Sequence, residues 1–244
     1  MEGTSFGNNC IDPPSPLLLH FNITLIFRVF YMVQEFLQRT LLTVPPILLA
    51  LTVHECAHAW VANRLGDPTA KMLGRVTLNP IRHLDPIGTL MLFFSGLFGW
   101  AKPVPINPRN FRNMSRSIML VSIAGPLSNL FLATLSALVY KLFEAAGPEF
   151  LSSMPKLWGP VFAMIEMSII INVALAVFNM VPVPPLDGSK VLGNLLPARQ
   201  AFAWAKFEQY GFFVLLILIV TGALNKFISP VIFLMAGLLT GGIY

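Results

Sequence analysis

Two stretches, Ser117 to Phe143 and Val161 to Phe178, are so nearly free of charge that they constrain the fold before anything else does. A membrane-spanning helix needs roughly 20 predominantly apolar residues. In hydrocarbon no water satisfies the backbone, so such runs must close their own hydrogen bonds as helices. Phe212 to Leu224 and Phe227 to Ile243 continue the pattern, the latter as a last span. Leu37 to Asn63 is a further helix, with Pro45 and Pro46 as candidate kinks and Gly66 as a stop signal. Leu17 to Val33, interrupted by His20, Asn22 and Arg28, reads either as a tilted span or as an interfacial helix. Ile87 to Trp100 is short and holds three glycines, which suits a short or re-entrant segment. The whole chain of 244 residues is 55% hydrophobic and 11% charged, against about 25% charged in soluble domains. The expected fold is therefore an all-α integral membrane protein of about four to six spans. One domain is expected over residues 17–244, behind a Pro-rich leader of residues 1–16 that lacks the features of a signal peptide.

Within this apolar background, HECAH at His54 to His58 is the sharpest chemical signal. On a helix, residues four apart share a face, so His54 and His58 can converge on one ion with Glu55 beside them as general base. A chance pentad, or a histidine pair satisfied by backbone carbonyls, is the competing reading. It is disfavoured because ionisable residues on an intramembrane helix are costly and functional by default. Catalytic zinc takes three protein ligands and keeps one position open, so a third ligand is required. Asp187 fits best. It lies in VPVPPLDG, Val181 to Gly188, where closely spaced prolines must unwind the backbone, and irregular backbone at membrane depth belongs against a cavity. Its competing role is the N-cap of the turn Val191 to Leu196.

The loops add topology. Eight Lys or Arg residues fall between Arg64 and Arg116, but only Lys156 between Ala145 and Gly159. The positive-inside rule then turns the HECAH end toward the cytoplasm. The net charge of +5 is scattered among these loops, without the basic stripe that nucleic acid requires. Cys10 and Cys56 lie in settings too different for a disulfide. A short strand is expected at Arg75 to Leu78. Ala101 to Ile106, with Lys102 and Val104 amid prolines, is an extended segment that can dock a substrate strand or simply cover the site as a loop. His20 and His83 read as interfacial residues, and Glu166 carries no catalytic assignment.

Taken together, HECAH, GPLSN at Gly125 to Asn129 and NMVPVPPLDG at Asn179 to Gly188 resemble, in order, the motifs of the site-2 protease family of intramembrane metalloproteases. The loop sequences GDPTAKMLGRVTLNPIRHLDPIGT and GWAKPVPINPRNFR resemble its compact prokaryotic members, which lack PDZ or CBS domains. The resemblance covers roughly Leu37 to Gly242. It implies one zinc ion per chain on His54, His58 and Asp187, with Glu55 catalytic. It also implies Asn129 and Asn179 as residues that orient substrate or stabilise an oxyanion, although an asparagine between membrane helices can equally be a packing hydrogen bond. Ser189 stands where the family often has a second glycine. The expected substrate is a transmembrane protein cleaved within or next to its spans, in the cell membrane and near the cytoplasmic side. The rival class is an inactive zinc-binding scaffold or a transporter. A transporter would show paired broken helices in repeated halves, and only the break at Val181 to Gly188 is evident.

Overall fold

The computed structural model describes residues 16–95 and 99–242. The predicted leader, Cys10, residues 96–98 of the expected short segment, and Ile243 lie outside the described residues, apart from Pro16. By compactness the chain divides into two units, Met1–Leu41 and Leu42–Tyr244. In the first, the described residues are helical and Glu35 pairs with Arg39 at 2.6 Å on the exposed surface.

Helix α1 runs from Pro16 to Arg64, so the two separate runs predicted at Leu17 to Val33 and Leu37 to Asn63 are one element. Gln34 and Glu35 interrupt the hydropathy but are good helix formers. Gly66, at φ 112°, turns the chain out of the helix. Then follow α2 (Thr69–Met72), a 3-10 turn at Pro80–Arg82, α3 (Pro86–Ser95) and a second 3-10 turn at Pro108–Asn110. The long α4 (Met114–Ala145) is capped by the Asn113 side chain, which accepts from the Arg116 N–H. After α5 (Gly147–Ser153) come α6 (Pro155–Asn179), α7 (Asp187–Leu195), α8 (Ala198–Glu208), α9 (Gly211–Val220) and α10 (Ala223–Thr240). Among the described residues four helices are long and apolar enough to span: Arg28–Arg64, α4, α6 and α10. The pair α8 and α9, bent by 67°, makes a possible fifth. This is the expected all-α membrane architecture. The predicted helix Phe212 to Leu224 stops earlier, at Val220, because Gly222 adopts a left-handed φ of 69° and starts α10.

The strand expected at Arg75 to Leu78 does not form. The Arg75 N–H closes α2 by donating to Ala70 O, and Thr77 O is held by the His83 ring at 2.8 Å, so the stretch has no partner strand. Among the described residues the β pairing is one isolated antiparallel bridge between Leu84 and Ala101.

Small residues let the membrane helices approach closely, as expected where van der Waals packing rather than water drives association. Ala137 and Tyr140 of α4, Ile169 of α6 and Ala236 of α10 form one buried cluster. Ala62 of α1, Phe111 just after the second 3-10 turn, and Val121 of α4 form a second, on which Ile106 packs. Leu186, Leu215 and Leu224 form a third, which seals the unwound segment from the side of α9 and α10.

Asp67, fully buried just beyond α1, clasps the loops together. Its carboxylate accepts from the Asn107 N–H and the Asn110 amide, each at 2.7 Å, and from both the N–H and hydroxyl of Thr69. Burial pushes its pKa up, but these four donors outweigh burial and hold it below the ordinary carboxylate value.

Candidate metal centre

The third-from-last turn of α1 carries His54 and Glu55, and the second-from-last carries His58. His54 lies ten residues before Arg64, about 15 Å along the helix at roughly 1.5 Å per residue. That is near half the thickness of a bilayer core. The two imidazoles meet edge-on, with centroids 4.6 Å apart and planes at 84°. They are 5% and 8% exposed, and Asp187 is 7% exposed.

Fixed carbonyls set the proton on each ring. His58 Nδ1 lies 2.7 Å from Val121 O, a group that only accepts, so Nδ1 carries the hydrogen and, in the neutral ring, Nε2 presents a lone pair. For His54 the logic runs through two amides. Asn172 must give its Nδ2 to Ser168 O at 2.8 Å, which points its Oδ1 toward Asn129. Asn129 then donates its Nδ2 to that oxygen at 2.9 Å and to Ala50 O at 3.1 Å. Its own Oδ1 is left for His54 Nδ1 at 2.6 Å. A neutral His54 ring then turns its Nε2 lone pair toward Asp187 as well.

Asp187 closes the set. The non-helical stretch from Val181 to Leu186 delivers it as the first residue of α7. A Cβ on Gly188 would stand 2.3 Å from Met180 O, so only glycine lets the chain double back this tightly. Asp187 does not cap its helix. Its Oδ2 stands 3.2 Å from His54 Nε2 and 3.1 Å from His58 Nε2, which are themselves 3.0 Å apart. Its Oδ1 faces the Lys190 ammonium at 3.6 Å. Trp204 of α8 steadies this turn by donating its indole N–H to Ser189 O at 3.1 Å.

With both rings neutral, three acceptor atoms thus converge, buried, with each Nδ1 hydrogen committed elsewhere. Such a triangle repels itself unless a cation sits in it. A tetrahedral zinc with bonds of about 2.0–2.1 Å separates its ligand atoms by about 3.3–3.4 Å, close to the 3.0–3.2 Å edges found. His54, His58 and Asp187 are the metal-capable cluster among the described residues, and the donor set of two imidazoles and a carboxylate fits zinc. Gly125 of α4 forms the floor: a Cβ there would stand 2.4 Å from His58 Nε2 and 2.6 Å from His54 Nε2.

Glu55 is half-buried and makes no hydrogen bond among the described residues. The buried Arg75, 5% exposed, interacts with it through its charge. Asn129 is fully buried and held entirely by the contacts above. Asn179, the last residue of α6, gives its Nδ2 to Leu175 O at 3.0 Å. The N–H of Lys102 donates to His83 O at 2.8 Å, and its carbonyl accepts from Arg75. Val104 is half-buried, and its N–H makes no hydrogen bond among the described residues. His83 is fully buried rather than interfacial.

Asn172, Gly125, Arg75 and Lys190 were not singled out as site residues from sequence. Asn172 was visible as a polar residue in an apolar run, and Gly125 as the first residue of GPLSN. Replacing Asn172 by leucine frees Asn129 to rotate and unfixes the His54 proton. Outer-shell losses of this kind cost roughly 10–100-fold in metal affinity. A drop of that size is expected for Asn172→Leu in a chelator competition assay, and an unchanged affinity would show that the amide chain does not steer His54.

The model of peptidase family M50 matches residues 43–222, which include the whole candidate centre. The "Putative zinc metalloprotease YwhC" of Bacillus subtilis (strain 168) is 43% identical over 175 residues, 72% of this chain and 78% of that protein. Proteins named "Putative zinc metalloprotease Rip2" from Mycolicibacterium smegmatis and Mycobacterium tuberculosis are 28% and 29% identical over 194 residues, 76% of this chain and 69% of each. No solved structure matches the chain. With that match running from within α1 to the residue before α10 and a buried His-His-Asp triangle inside it, the chain belongs to peptidase family M50, the site-2 proteases, and is a multi-pass membrane metallopeptidase.

Proposed function

We propose that this protein hydrolyses peptide bonds within or next to the transmembrane segments of other membrane proteins, with one zinc ion per chain held by His54, His58 and Asp187. The observation that carries the reading is the buried triangle of His54 Nε2, His58 Nε2 and Asp187 Oδ2, about half a bilayer thickness from the end of α1. Zinc, when bound, supplies Lewis acidity toward water and a peptide carbonyl. The remaining work falls to the chain's own residues. Glu55, unbonded beside the two histidines, takes a proton from the attacking water and returns it to the leaving nitrogen. Arg75 sets a positive charge near Glu55. Lys190 occupies Asp187 Oδ1 and so leaves Oδ2 as the atom turned to the histidines. Asn129 acts as a positioning residue through His54, and Asn179, bonded within its own helix, supports the α6 terminus where the chain unwinds. The arginine- and lysine-rich loops beside this end of α1 favour the cytoplasmic face of the cell membrane.

A helical substrate hides its peptide bonds and must unwind, and the freed backbone then needs partners. The strap from Ala101 to Asn107 is pinned at Lys102, by Ile106 in the core, and by the Asn107 N–H on Asp67. Between the pins Pro103 and Pro105 offer only carbonyls, and Val104 offers a donor. Substrate docking along this stretch is the proposed use of Lys102 and Val104. The test reconstitutes the protein with single-span substrates and follows cleavage. Wild type should cleave and lose activity on chelation. Val104→Pro, which leaves the Lys102 anchor intact, should cleave more slowly at unchanged zinc content. Turnover equal to wild type would remove strand docking, and chelator-resistant cleavage would remove the metalloprotease mechanism.

A further inference from the structure

We propose that a second site, unrelated to the metal centre, binds a phosphate anion, and that its ligand is the headgroup of an anionic phospholipid. A cavity of about 440 Å³ opens where α1 ends and α4 begins. Three arginines line it, Arg64, Arg112 and Arg116, and no carboxylate does among the described residues. None of the three has an ion-pair partner among the described residues. Uncompensated guanidinium groups sharing one concavity repel one another, and a planar fork of N–H donors is suited to phosphate oxygens. Asn113 places the N-terminal end of the 32-residue α4 at the same cavity, adding a positive dipole end. A separate observation also asks for a ligand. Ser117, which lines the cavity and is only 5% exposed, has a hydroxyl that makes no hydrogen bond among the described residues.

The level in the bilayer selects the source of the phosphate. Arg64 ends one membrane-crossing helix and Met114 begins another. One turn before Arg64, Trp60 is 50% exposed, and the Arg64 guanidinium lies 5.0 Å from its ring centroid. An exposed tryptophan under an arginine marks the headgroup zone. Leu120, also lining the cavity, is exposed on the α4 surface that follows into the apolar layer, where an acyl chain would continue.

The test uses the full chain, stripped of lipid in a neutral detergent and offered phosphatidylglycerol, phosphatidylcholine or inorganic phosphate alone, with bound species read by native mass spectrometry. Phosphatidylglycerol should be retained over phosphatidylcholine. The double variant Arg112→Gln/Arg116→Gln should weaken that retention roughly 30-fold, since each interfacial basic residue contributes about fivefold. Arg82→Gln/Arg109→Gln, which removes equal charge from loops outside the cavity, should leave it unchanged, and Ser117→Ala should weaken it without altering the fold. Inorganic phosphate binding as tightly as the lipid would overturn the lipid assignment and make the site one for free phosphate. Equal losses in both double variants would overturn the site itself, leaving only the diffuse attraction of a basic surface.

Discussion

Glu55→Gln is expected to stop cleavage almost completely while leaving zinc in place. The amide keeps the size of the carboxylate but cannot accept the proton of the attacking water, and loss of a positioned general base costs about 10²–10⁴-fold in rate. Glu55 bonds to none of the described residues and is not a corner of the His54–His58–Asp187 triangle, so the ligand geometry has no reason to move. The measurement pairs turnover of a single-span substrate with metal content of the same preparation. Turnover within a few-fold of wild type would mean that another group takes the proton. Loss of zinc together with turnover would mean that Glu55 shapes the metal site itself.

Gly125→Ala should have an effect as large by a different route. The added methyl would sit 2.4 Å from His58 Nε2 and 2.6 Å from His54 Nε2, the atoms turned toward Asp187. Both rings are locked by their Nδ1 hydrogen bonds, and α4 is packed against α6 through Ala137 and Ile169, so neither side can yield cheaply. The rings must rotate out of register, and the variant is expected to lose zinc and activity together. Its helix content should be that of wild type, because alanine is the better helix former. Full zinc occupancy in a folded Gly125→Ala protein would show that the rings are not held against α4 as described.

Much of this was legible in the residues because it is local. The apolar runs announced the spanning helices, and HECAH announced two ligands on one helical face. The prolines of VPVPPLDG announced the break that brings Asp187 into the bundle. What the chain concealed depends on distant partners. That Asn129 turns toward His54 follows from Ser168 O fixing Asn172, a relation across three helices that no spacing encodes. Gly125 is ordinary in sequence and becomes decisive only when α4 is laid on the histidines. The strand expected at Arg75 to Leu78 failed because His83 claimed its backbone. The two N-terminal runs merged because Gln34 and Glu35 interrupt hydropathy without interrupting a helix.

The most direct trial of the account is zinc content and X-ray absorption at the zinc edge for wild type and Asp187→Ala, side by side in detergent. One zinc per wild-type chain is expected, with two nitrogen ligands and a carboxylate oxygen, and the variant should bind zinc far more weakly and not cleave. An Asp187→Ala protein that keeps a full complement of zinc and normal turnover would contradict it.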